Sequence, residues 1–81
     1  MKPNDGAYNL TTTAQPGIGA TTVRYVIEDG HIDTTFGRLE WTDDPPPGMF
    51  INGAVALRFL DATHFVGVNG NTGYGGTYAA A

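Results

Sequence analysis

An all-β fold, built as a small antiparallel up-and-down meander of about six strands closed into a barrel-like or strongly curled sheet, is what the sequence predicts. Three observations predict it. An Asp29-Gly30 pair separates two segments of alternating apolar and polar residues, further runs of two-residue period follow at short intervals, and no stretch keeps a 3.6-residue helical period. With 81 residues, 41% hydrophobic and 15% charged, the chain has room for one core. It reads as a single β domain over 1–81, with 1–6 and 79–81 expected as frayed ends.

The first strand is expected near Ala7 to Thr13, ended by Gln15-Pro16-Gly17. Asp29-Gly30 then supplies the positive φ angles of a type I′ turn. With those two residues as the loop, Ile27 faces Ile32, Tyr25 faces Thr34 and Val23 faces Phe36, while Arg24, Val26, Glu28, Asp33 and Thr35 take the other surface. Inward parity changes afterwards, because Ile32, Thr34 and Phe36 are even-numbered whereas Leu39 and Trp41 are odd. A β-bulge at Gly37 would reconcile the two sets within one bent strand.

Asp43-Asp44-Pro45-Pro46-Pro47-Gly48 interrupts the pattern as a loop or short polyproline II segment, because its prolines lack amide donors. Ile51, Gly53, Val55, Leu57 and Phe59 then alternate as one strand, and Asp61 to His64 turns the chain into Phe65 to Val68. Asn69 to Gly73 tolerates left-handed backbone, and Tyr74 to Tyr78 closes a third hairpin. This closing hairpin, with its Gly-Gly-Thr-Tyr, resembles the terminal hairpins of lipocalin-like and avidin-like barrels, a likeness of fold.

Charge and residue content exclude several functions. The net charge is −4, and Lys2, Arg24, Arg38 and Arg58 are scattered, whereas binding a phosphate backbone or an anionic membrane needs converging cations. The start of the chain lacks the apolar run of a signal peptide, and no segment approaches the roughly 18 apolar residues that span a bilayer. The protein is therefore expected to be soluble and acidic, with a cytoplasmic origin favoured. There is neither Cys nor Ser, so disulfides, thiolate metal sites and Ser or Cys triads are excluded.

Glu28, His31 and Asp33 are the closest approach to a metal-ligand set, and they flank a turn where exposed polar residues belong anyway. No metal or other cofactor is expected. His31 and His64 are possible general bases, with Asp33 or Asp61 to orient them. Asp33-Thr34-Thr35 resembles the Asp-Thr-Gly of aspartic proteases, but Thr35 stands where the catalytic loop needs Gly. The glycines from Gly70 to Gly76 lack the helix and Lys of a phosphate loop.

Aromatic residues are the remaining lead. Trp41, Tyr74 and Tyr78 are expected to supply contact area beside the Asp43–Gly48 and Asn69–Gly73 connections. The function read from the sequence is a non-catalytic binding or assembly module acting through protein-protein contacts. A homodimer joined at sheet edges or an apolar sheet face is the expected form, since a small domain without staples gains stability by association. The alternatives are a small lipocalin-like barrel for an apolar or mixed ligand, and an enzyme with an unfamiliar acid/base site.

Overall fold

Successive strands pair in chain order and the last returns to the first, so the sheet closes into an antiparallel barrel. The computed structural model describes residues 1–13 and 19–81. Its described residues form β1 (Gly6–Thr12), β2 (Thr21–Glu28), β3 (His31–Thr34), β4 (Gly37–Thr42), β5 (Met49–Ile51), β6 (Val55–Phe59), β7 (His64–Asn69) and β8 (Thr72–Ala80). The Gln15-Pro16-Gly17 turn lies outside the described residues. One end of the barrel carries the turns at 35–36, 52–54 and 70–71, here the upper end; the lower end carries 29–30, 43–48 and 60–63.

The strand count exceeds the expected six because two expected strands each contain a turn. Asp29 (φ 49°) and Gly30 (φ 75°) form the foreseen two-residue turn, with Ile27 opposite Ile32. The next segment does not bend through a bulge; it reverses at Thr35-Phe36, with Thr34 paired to Gly37. The Thr34 hydroxyl accepts from the Phe36 amide (3.0 Å) and donates to the Gly37 carbonyl (2.8 Å), and Gly37 takes φ 104°. The parity change was real, and a chain reversal produces it: Ile32 and Leu39 face each other in the core. The expected pairings of Tyr25 with Thr34 and Val23 with Phe36 do not form, since β2 meets β3 only at Ile27 and Glu28 and Phe36 is exposed in the turn.

The run from Ile51 to Phe59 likewise divides. Asn52 Oδ1 accepts from the amides of Ala54 (2.9 Å) and Val55 (2.8 Å), an Asx turn that resets the face of each side chain. Phe50 thus points inward and Ile51 outward, the reverse of the simple alternation, whereas Val55, Leu57 and Phe59 are buried as expected. Asn52 Nδ2 also donates to the Phe36 carbonyl at 3.1 Å, and the Gly70 amide donates to the Ala54 carbonyl at 2.8 Å, which links the three upper turns.

Ten buried residues fill the interior: Leu10, Ile27, Ile32, Leu39, Phe50, Val55, Leu57, Phe59, Phe65 and Tyr78. Edge-to-face contacts join Trp41, Phe50, Phe59, Tyr78 and Tyr8 in sequence, with centroids 5.0, 6.0, 4.7 and 5.9 Å apart. An eight-stranded barrel is just wide enough for side chains to fill, and here they do. Truncating one such ring to Ala costs about 3–5 kcal/mol, a large part of the roughly 5–10 kcal/mol that holds a domain of this size.

Closure depends on β1 and β8. Tyr8 to Thr12 pair with Ala80 to Gly76, so Ala79 and Ala80, expected as a frayed end, belong to the ladder. A side chain at Gly76 would lie on the Thr11 carbonyl oxygen, whereas one at Gly73 would meet nothing within 4 Å. Gly76→Ala is therefore expected to lower the unfolding free energy by about 1–3 kcal/mol or more, and Gly73→Ala to leave it nearly unchanged, as measured by urea titration.

Candidate binding groove

The three aromatic residues expected to supply contact area beside the two connections occupy different parts of the barrel. Trp41 lies inside the lower end, stacked edge-on with Phe50, its Nε1 donating to Asp43 Oδ1 at 2.7 Å and Lys2 Nζ 5.6 Å from its centroid. Gly48 (φ 88°) closes over it so tightly that a Cβ there would lie 2.5 Å from Trp41 Cζ2. Tyr78 is a core residue; its hydroxyl donates to the Asp61 carbonyl and its amide to the Thr63 carbonyl. Tyr74 belongs to the upper half, where its ring covers Gly67 and meets Phe65 at 6.2 Å. Burial pushes the Tyr74 hydroxyl up, and the nearby Tyr25, itself raised by burial, adds to it.

Each histidine lies beside one carboxylate, His64 by Asp61 and His31 by Asp33. Asp61 Oδ1 accepts from the amides of Thr63 and His64, both at 2.8 Å, and contacts His64 Nδ1 at 3.1 Å. The Thr63 hydroxyl meets that same Nδ1 at 2.9 Å, so hydroxyl and carboxylate share one ring nitrogen instead of bracketing the imidazole. The arrangement is a turn staple. Across the β3–β4 pair, Arg38 Nε donates to Asp33 Oδ1 at 2.9 Å, which lowers the Asp33 pKa, and His31 Nε2 lies 3.7 Å from the other oxygen. Among the described residues no three His, Asp or Glu side chains gather as a metal site would require.

The groove that does form was not read from the sequence. It is about 250 Å³ in volume, lies on the outer wall, and is lined by Met49, Ala56, Arg58, Val66, Gly67 and Val68. Register explains it. Across the wall Ile51 stands beside Ala56 and Ala56 beside Val68, so a methyl group sits between two branched side chains and leaves a depression. Beyond them Val66 and Val68 face Gly75 and Gly73 on β8, which supply no side chain to cover them. Ile51 (38%), Val66 (41%) and Val68 (37%) consequently remain accessible although they share one face.

Arg58 extends along this apolar strip. Among the described residues its Nη2 donates only to Met49 Sδ, at 3.9 Å, and its Nε is buried without a hydrogen-bond partner. A guanidinium carries five donors and binds carboxylates with two of them at once, so this side chain has donor capacity to spare. Val66 and Val68 alternate with inward residues of β7, a pattern visible in the sequence; which strands would flank them was not.

Comparison with protein-family models, with curated proteins and with solved structures finds no match for this chain.

The Asp61 staple makes one testable statement. Hydrogen bonds from Thr63 and His64 lower its pKa to about 2. Since the folded value lies below the unfolded one, the linked stability is present above the unfolded carboxylate range and is lost as pH falls toward 2. Thermal melts across pH 2 to 5 should show the wild type losing stability more steeply than Asp61→Asn, which is already destabilised at neutral pH.

Proposed function

We propose that the protein is a non-catalytic binding module that acts through protein-protein contacts, self-assembling as a dimer through the outer face of β5 to β7. The observation that carries this reading is the accessible strip of Ile51, Val66 and Val68 around the Arg58 groove. Contiguous apolar surface marks an interaction site, and a depression flanked by branched side chains accepts a partner's apolar residue.

Two further features support the choice. The interior is occupied by ring-to-ring packing, which disfavours an enclosed ligand, and closure pairs β1 with β8, so the ends of the meander are not open for edge pairing. Of the two forms of association expected from the sequence, a face is favoured over an edge. No helix is long and apolar enough to cross a membrane. The strands from β3 to β7 have three to six residues, short of the roughly nine to eleven needed by a bilayer-spanning strand.

Sedimentation velocity from ten to several hundred micromolar, a range set by what a modest interface supports, is expected to show a reversible monomer–dimer equilibrium. Ile51→Asp, at an outward position, should shift it to monomer without altering the circular dichroism. A dimer indifferent to that substitution would reject this face.

A further inference from the structure

Glu40 and Arg58 share the outward face on either side of β5, and neither forms an ion pair among the described residues. Glu40 stands beside Ile51, Ile51 beside Ala56, and Arg58 two residues further along β6. Strands about 4.8 Å apart and a two-residue rise of about 6.8 Å separate the two Cα positions by roughly 12 Å, too far to join directly. Each is left facing outward, opposite in sign, with the apolar side chains of Met49 and Ile51 between them.

We propose that a second copy of this chain docks on this face about a twofold axis crossing β5 near Phe50, so that Arg58 meets the partner's Glu40 and Glu40 meets the partner's Arg58. The inference rests on the self-assembly reading above and names its contacts. A twofold interface is self-complementary: wherever residue i meets j, j meets i. One face carrying both members of an opposite-charge pair, placed symmetrically about its apolar centre, meets that condition with a copy of itself. In this arrangement the partner's Ile51 enters over Ala56, the low point of the wall. Arg58, with its spare donors, gains a carboxylate where it now has only a thioether.

The proposal is tested by reversing the charges in the full chain and measuring association by sedimentation equilibrium. R58E alone and E40R alone each set like charges opposite one another twice, and each is expected to weaken the dimer about tenfold or more. Mixed together, the two variants form a heterodimer in which both pairs are opposite in sign, and the mixture should associate about as tightly as wild type. The E40R/R58E double variant should do the same, which keeps the test decisive if one single variant folds poorly. A wild-type dimer that is lost in Ile51→Asp, with a mixture that binds no better than its components, would overturn this pairing and leave the face intact. A wild type that stays monomeric throughout would overturn both.

Discussion

The antiparallel pairing of β1 with β8 is the constraint on which the structure depends. Without it the chain would be an open meander with two edges and a one-sided core; with it, alternate residues of every strand point into a common interior. The close approach of Gly76 to the Thr11 carbonyl shows how little space the seam leaves. Once the ring is shut, Phe50, Phe59 and Phe65 must share a narrow lumen with seven other buried residues, and they do so by edge-to-face contact. The interior is thereby filled, and the accessible surface lies on the outer wall and the two ends.

The loops of the lower end are held by local polar contacts in addition to ring packing. The proline loop is held to Trp41 by the Asp43 carboxylate and by the close fit of Gly48, and the β6–β7 turn is organised by Asp61. These features absorb most of the residues that would otherwise suggest chemistry. His64 and Asp61 shape a turn, Asp33 is held by Arg38, and Tyr78 anchors a loop while filling the core. Among the described residues Arg58, in the outer wall, has no such role.

Much of the fold was legible in the sequence, because period-two alternation and turn chemistry are local. Asp29-Gly30 dictated its turn, the absence of a helical period dictated the class, and the odd-even switch between Phe36 and Leu39 correctly signalled a change in direction of the core-facing side chains. What alternation cannot distinguish is a bulge from a two-residue reversal, since either restores parity; the Thr34 hydroxyl, bonding on both sides of the turn, decides it. The Asn52-Gly53 pair concealed a second reversal in the same way, because Gly53 happened to fall in phase with the apolar residues around it. The site was less legible. A groove made by Ala56 between Ile51 and Val68 depends on which strands are neighbours and at what register, and that is long-range information. Trp41 and Tyr74 looked adjacent to loops, as they are, but the loops lie at opposite ends of the barrel.

Closure of the ring is tested most directly by a nuclear Overhauser experiment on the β1–β8 seam. Cross-strand contacts between Leu10 and Tyr78 and between Thr11 and Thr77 are predicted, together with slow exchange of the amides that join the two strands. Absence of those contacts, with rapid exchange along β1 and β8 while β6 and β7 remain protected, would mean an open sheet with free edges and would contradict the assignment of recognition to the outer face.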